Sequence, residues 1–322
     1  KSFQIGVSVG LVPVTKEQSC AAEILSAADM ACYVAKEQGR NRVHVYQLDD
    51  ENMRRRRNEM GMVSAVRRAL VEDRFELFAQ PIVSTRDKSA VHYELLIRMR
   101  DEESGYVSPG AFLPAAERYQ LMSEIDRWVV EESMRLLLDQ ERCGKDIFVS
   151  INLSGQSLSE ESFLDDILKK LDRIGPCATR VCFEITETAA VNNLSIALKF
   201  IDAIKQYGCK FSLDDFGAGV SSFGYLKNLP VDYVKIDGVF VRKIQSNEVD
   251  QAMVKAITEV TSVMGMETIA EFVENEESFD LLKEIGVDYA QGYWIEEPKP
   301  IADIFGFRER DNECPLRAVT GN

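Results

Sequence analysis

The sequence predicts an α/β protein: a closed (β/α)8 barrel with an antiparallel first strand, preceded by a small α/β remnant at the N-terminus. Three observations predict it. From residue 73 onward, eight apolar, strand-like runs alternate with helical patterns, the order that builds a barrel of strands wrapped by helices. The first two runs are separated only by STRDKSA, long enough for a hairpin but too short for a parallel crossover. Residues 1–47 read as strand, helix and strand, too little to bury a core alone.

In order along the chain, FQIGVSVGLV (3–12) reads as a strand. Ala21, Ile24, Leu25, Ala28, Cys32 and Ala35 follow helical spacing, Gly39 is placed to end that helix, and RVHVYQ (42–47) alternates as a strand does. Residues 48–72 read as a charged connecting helix. Its basic run Arg54–Arg57 is flanked by Asp49, Asp50 and Glu51 and reads as a solvated face. The barrel is expected over 73–310, with a tail over 311–322. Its strands are expected at 75–83, 91–99, 146–153, 180–186, 209–214, 232–236, 267–273 and 288–294. One helix between them carries Leu164, Ile167, Leu168, Leu171 and Ile174 on one face and stops at Gly175-Pro176. Another carries Leu194, Leu198, Ile201 and Ile204 and stops at Gly208.

Composition excludes several functions. A chain with 45% apolar and 28% charged residues has material for a sizeable core. No apolar run approaches the ~18 residues of a membrane span, and there is no signal-peptide pattern. The chain opens at Lys1 inside a strand-like stretch, which reads as a piece of a longer protein, with any membrane-attached sensor upstream. Seven scattered cysteines without a CxxC pair point to a reduced, cytoplasmic setting. Two histidines are too few for an imidazole-rich zinc site. A net charge of −15 disfavours a nucleic-acid polymer or an anionic membrane as partner.

Polar residues recur at the ends of the apolar strands. Glu94 interrupts VHYELLIRM, Asn152 closes IFVSIN, and Glu184 closes VCFE with Glu187 following. Asp214 and Asp215 close FSLDD, Lys235 sits in YVKID, Glu271 and Glu274 sit in TIAEFVE, and Gln291 follows DYA. One polar strand end is commonplace; a series on nearly every strand points to the C-terminal rim, where barrels of this kind carry their chemistry. Carboxylates converging there repel one another unless cations intervene. Oxygen ligands with few histidines favour Mg²⁺ or Mn²⁺, and adjacent aspartates suit two metals about 3.5–4 Å apart. Lys235 and Arg98 add positive charge suited to a phosphate. A phosphodiester is the substrate class that uses all of these parts; a glycosidase would use two carboxylates and leave the cations surplus.

YELLIRM (93–99), INLS (151–154), FEITE (183–187), DDFGAGVSSFGYLKNLPVDYVKID (214–237), TIAEFVE (268–274) and AQGYWIEEPKP (290–300) together resemble the successive motifs of EAL-domain cyclic-di-GMP phosphodiesterases, over roughly residues 65–305. SVG, AADMACYVAK and GRNRVHVY near the N-terminus resemble the last portion of a GGDEF diguanylate cyclase domain. The cyclase signature loop is absent from the sequence, so no cyclase activity is expected.

The resemblance implies a modified TIM barrel and hydrolysis of cyclic-di-GMP to linear pGpG, with two divalent cations, Mg²⁺ or Mn²⁺. It implies Glu94, Asn152, Glu184 and Asp214 as ligands of one metal, and Asp214, Asp215 and Glu271 as ligands of the other. Lys235 then positions or deprotonates the attacking water, so that Glu94, Asp215, Lys235 and Glu271 form the catalytic set. Arg98, Gln80 and Gln291 match substrate-binding positions, Gln291 also lying near the attacking water. Glu187 matches an anchor for the loop after Asp215, Glu274 a position behind the ligands, and Gly217 and Gly219 permit that loop to move. A homodimer through the barrel is implied as well. The alternative is a catalytically silent cyclic-di-GMP receptor. Two positions depart from the family pattern: Leu95 stands where the signature has alanine, and Phe272 where glycine is usual. Both are expected to point away from the neighbouring glutamate, by strand alternation.

Overall fold

A computed structural model describes residues 6–14, 21–37, 39, 41–46, 51–101, 105–218 and 223–306. The chain divides into two units, Lys1–Arg68 and Ala69–Asn322. In the first, the strands Val9–Leu11 and Val43–Val45 pair in parallel, joined through the helix Ala21–Glu37, the crossover that a parallel pair requires. Ala27, Ala31 and Val34 of the helix cluster with Tyr46. Gly10 lets the strand lie directly on the helix, since a Cβ there would come within 2.2 Å of the Ala28 carbonyl oxygen. The helix Glu51–Val71 falls where the connecting helix is expected, and the expected tail over 311–322 lies outside the described residues.

The second unit is a closed barrel of eight strands: β1 (Phe75–Ser84), β2 (Ala90–Asp101), β3 (Val149–Leu153), β4 (Val181–Thr186), β5 (Lys210–Phe216), β6 (Tyr233–Ile236), β7 (Glu267–Ala270) and β8 (Tyr289–Ala290). β1 and β2 form the antiparallel hairpin that the short STRDKSA stretch requires, in a register that sets Gln80 opposite Glu94. From β2 to β8 the pairings are parallel. β8 closes on β1 antiparallel. The last two strands are shorter than their apolar runs, because the chain leaves the ladder at the rim. There Gly292 crosses so close to Val273 that a Cβ would lie 2.2 Å from its carbonyl oxygen.

The helices Glu161–Ile174 and Leu194–Lys205 pack their apolar stripes on the barrel wall. Phe163 and Phe200 stack between them, and Phe200 meets Phe211 of β5 edge-on. Gly175 and Gly208 follow these helices at φ 54° and 80°, a left-handed geometry that stops a helix and favours glycine. Fully buried rings of this kind each contribute roughly 1.5–3 kcal/mol by leaving water. Among the described residues no helix is long and apolar enough to cross a membrane.

Candidate active site

Because side chains alternate along a strand, residues two apart on one strand stack inside the barrel. Glu94 on β2, Glu184 on β4 and Lys235 on β6 are buried there, with Asn152 at the end of β3 and Glu271 just beyond β7. The Lys235 side chain is 1% exposed. Its Nζ lies 2.8 Å from Glu184, 2.9 Å from Glu271, and 3.2 Å from both Glu94 and Asp214. Burial works against the ammonium, but the surrounding carboxylates outweigh it and hold Lys235 well above the ordinary lysine range. Burial drives Glu184 up to about 8 and Glu271 well above the usual carboxylate range. Glu94 goes the other way. Burial raises it, but Lys235, Gln291 and Asn152 together bring it below its ordinary value.

Glu94 is held on both oxygens. Asn152 Nδ2 donates to Oε1 at 2.6 Å and Gln291 Nε2 donates to Oε2 at 2.7 Å. Gln291 also donates to Gln80 Oε1 at 3.1 Å, and Gln80 donates to the Glu296 carbonyl at 3.0 Å. Glu184 Oε1 is buried with no hydrogen-bond partner, and so is Asp214 Oδ1, which meets Lys235 by charge without hydrogen-bond geometry. One ammonium faces four carboxylates here, so the cluster is short of positive charge and carries unused oxygen acceptors.

On a regular strand, adjacent aspartates would point to opposite faces. β5 is not regular at that point. Its register with β6 slips between Leu213 and Phe216, and Asp215 adopts φ 56°, a left-handed conformation that aspartate tolerates better than most residues. This irregularity turns both carboxylates toward the mouth, where Asp214, Asp215 and Glu271 each offer an oxygen within 4.8 Å of the others. Such a hard-oxygen set fits a divalent cation. Burial raises Asp215 to about 6, aided by Asp214 and by Asp237. Asp237 was not singled out in the sequence, although it lies inside YVKID two residues beyond Lys235. It caps the turn Gly238–Val241 by accepting from Val239 N at 2.6 Å.

Glu187 opens the helix that follows β4, with Thr186 as its cap. It accepts from Gly217 N at 3.1 Å and from the Tyr225 hydroxyl, and so tethers both described ends of the loop after Asp215. Gly217 has φ 99°, and a Cβ on it would meet the Phe240 ring at 2.5 Å. Gly219 lies outside the described residues. Asp126, on the helix Met122–Arg142, is a second residue the sequence reading passed over. It accepts from Ser154 N at 2.9 Å and Ser157 Oγ at 2.6 Å, pinning the turn directly after Asn152. The readable signal was an acidic residue beside Ile125 and Val129 on an apolar helix face.

A cavity of 470 Å³ opens over this cluster and includes Glu94, Arg98, Glu271, Phe272, Gln291 and Tyr293 in its lining. The Arg98 guanidinium lies over the Phe78 ring at 5.2 Å. Leu95 is buried on the opposite side of β2 from Glu94, as alternation requires. Phe272 does not follow alternation. β7 has ended at Ala270, Phe272 takes φ 55°, and its ring lines the same cavity as Glu271. Glu274 is half exposed at the mouth, 3.8 Å from Arg242.

The sequence profile of the EAL domain matches residues 63–298. The chain belongs to the EAL domain family. This EAL chain is 40% identical to cyclic di-GMP phosphodiesterase PdeB of Shewanella oneidensis over 302 residues, which is 94% of the chain and 35% of PdeB. It is 35% identical to cyclic di-GMP phosphodiesterase PdeF of Escherichia coli over 262 residues, 79% of the chain and 35% of PdeF. The EAL chain thus spans about a third of the length of these curated relatives. Among solved structures it superposes on the PaMucR phosphodiesterase in its c-di-GMP complex with a TM-score of 0.71 at 29% identity, covering 76% of this chain and 99% of that one. It also superposes on the FimX EAL domain of Xanthomonas citri in complex with c-diGMP, with a TM-score of 0.70 at 29% identity, covering 76% of this chain and 96% of that one.

Proposed function

We propose that this EAL barrel hydrolyses one phosphodiester of cyclic-di-GMP, giving linear pGpG, with two divalent cations, Mg²⁺ or Mn²⁺, held at its mouth. The observation that carries the reading is the Lys235 ammonium within 3.2 Å of four carboxylates, beside a cavity wide enough to admit a ligand. The lysine stands where cationic charge is needed, and the unpartnered oxygens of Glu184 and Asp214 are acceptors without a donor. Glu94, Asn152, Glu184 and Asp214 would hold one cation, and Asp214, Asp215 and Glu271 the other. When bound, the cations would acidify a water and neutralise phosphate charge.

In this reading the protein's own groups bind and orient. Lys235, kept charged by its neighbours, acts as a donor that orients the water and the scissile phosphate rather than as a base. Arg98 binds a phosphate oxygen at the cavity wall. Gln80 and Gln291 fix Glu94, and Glu187 with Gly217 and Gly219 governs the loop that follows Asp215. Glu274 stands at the mouth, outside this set. Since pGpG keeps its phosphate on a 5′ oxygen, the bond that breaks is P–O3′.

We also infer that residues 1–47 are the C-terminal part of a GGDEF-type domain. The strand–helix–strand unit supports this. A homodimer through the helices near the loop after Asp215, and a cytoplasmic setting, go with the reading. The test is turnover of cyclic-di-GMP with Mg²⁺, followed by chromatography of the product. The chain is expected to yield pGpG, and Glu94→Ala or Asp214→Ala to lower turnover by at least about a thousandfold, the scale of losing a main electrostatic group. Binding without turnover by the parent chain would favour a silent receptor instead.

A further inference from the structure

We infer that Asp126 is a positioning residue of the cation site: from behind the barrel wall it fixes the turn that aims Asn152. The inference rests on Asn152 being a cation ligand, as proposed above. Asp126 stands in the buried stripe of the helix Met122–Arg142, among Ile125, Val129 and Val130, and is 4% exposed. An apolar side chain would fill that place without loss. A carboxyl group there gives up its hydration, and burial raises its pKa above the ordinary aspartate value. Among the described residues no lysine, arginine or histidine pairs with it. Its partners are two donors on one oxygen: Ser154 N at 2.9 Å and Ser157 Oγ at 2.6 Å, both on Oδ2.

Both donors lie just beyond β3. That strand ends at Leu153, so the Ser154 amide is the first to leave the ladder. Inside the wall such an amide needs an acceptor, and Asp126 supplies it. Ser154 Oγ in turn accepts from Ser157 N at 3.2 Å, which winds the short helix Gly155–Leu158. Two residues before Ser154 stands Asn152. Its Nδ2 is committed to Glu94 Oε1 at 2.6 Å, which leaves Oδ1 as the amide oxygen for a cation. The direction of that oxygen follows from the lie of the strand end, and Asp126 ties the strand end to the outer helix.

The same turn leans on the neighbouring strand's continuation. A Cβ on Gly155 would lie 3.3 Å from the Ala189 Cβ, and Ala189 belongs to the helix Glu187–Asn192. Glu187, its first residue, tethers the loop after Asp215. One buried carboxyl group thus steadies a turn that touches two parts of the site. Hydrogen bonds that hold a metal ligand from behind set its affinity for the ion, and their loss commonly costs roughly 10–100-fold in affinity or activity. Asp126 acts through the backbone of the turn, so the lower end of that range is expected.

The test is calorimetric titration of the full, EDTA-stripped chain with Mn²⁺, with steady-state kinetics on cyclic-di-GMP beside it. Asp126→Leu keeps the volume and removes the acceptor. It is expected to weaken one Mn²⁺ about tenfold and to lower kcat by a similar factor, with KM for cyclic-di-GMP little changed. Asp126→Asn keeps an oxygen for both donors and should restore Mn²⁺ affinity to within about threefold of the parent, whereas Ser157→Ala, which removes one of the two bonds, should weaken it about fivefold. If Asp126→Leu fails to fold, Ser157→Ala carries the test. A variant with a lower Tm in EDTA but parental Mn²⁺ affinity and kcat would overturn the proposal and leave Asp126 a support of the fold alone. Should the parent itself take up no Mn²⁺, the cation reading fails on its own. The Asn152 side-chain amide resonances in EDTA, identified by their loss in Asn152→Asp, then decide the positioning role. A shift in Asp126→Leu that Asp126→Asn does not show supports it, and unmoved resonances refute it.

Discussion

Two layers of the same barrel differ by a single pleat. The lower consists of Ile82, His92, Cys182, Tyr233, Ile269 and Tyr289, closed by Phe148. The upper consists of Gln80, Glu94, Glu184, Lys235, Glu271 and Gln291. Each lower residue lies two positions from an upper one. On β2, β4, β6, β7 and β8 the lower residue comes first; on β1 it comes second, as an antiparallel strand demands. The lower layer is apolar and aromatic: Tyr233 and Tyr289 meet at 6.1 Å, and His92 lies between Phe148 and Tyr233. The upper is a charged cluster with one lysine at its centre. The strands therefore hold themselves together at one level and present chemistry at the next, and at the upper level the backbone takes a left-handed conformation at Asp215 and Phe272.

The largest way to break this contrast is to remove the one cation of the upper layer. Lys235→Met is expected to abolish turnover and, in EDTA, to cost about 3–5 kcal/mol of stability, because buried carboxylates lose their partner. Denaturant unfolding with and without Mn²⁺ checks it; Mn²⁺ should recover much of the loss. Gly217→Val comes next. It forces a β-branched residue into the left-handed region against Phe240, with an expected cost of about 1–3 kcal/mol and a lower kcat, read by thermal unfolding and steady-state kinetics.

The lower layer supplies a milder test. His92 is buried without a hydrogen-bond partner, and burial pulls it down to about 4, with Lys235 adding to the shift and Glu94 opposing it. Its folded value is below the unfolded one, so the neutral form is favoured in the fold. The stability it permits is complete above about pH 6.5 and is lost as pH falls toward 4. His92→Phe should therefore lose about 2 kcal/mol less than the parent between pH 7 and pH 5; parallel curves would count against a buried neutral imidazole. The smallest effect is expected of Tyr225→Phe, which removes one donor to Glu187 while Gly217 N remains. A loss of about 1 kcal/mol or less with kcat changed a few-fold would fit, and complete inactivity would not.

How far the sequence could be read follows the same division. The barrel, the antiparallel β1 and the ring of strand-end residues follow from alternation and from the length of STRDKSA, both local properties. The adjacency of Asp214 and Asp215 was visible, but the slip that turns both inward depends on pairing between β5 and β6, which no local pattern announces. Phe272 was placed opposite Glu271 by alternation, and the structure places it in the same cavity because the strand has already stopped. Asp237 and Asp126 matter through contacts distant in the chain, with Asp215 and with Ser154, so neither stood out from its own neighbours.

The central claim is that the upper layer is a cation site built around Lys235 and its carboxylates. The most direct measurement is calorimetric titration of the EDTA-stripped chain with Mn²⁺, in parallel with Asp214→Asn. The account predicts saturable binding by the parent at two ions per chain, a rise in Tm with added metal, and loss of at least one ion in the variant. A parent chain that takes up no Mn²⁺ at millimolar concentration, with a Tm indifferent to it, would contradict the account.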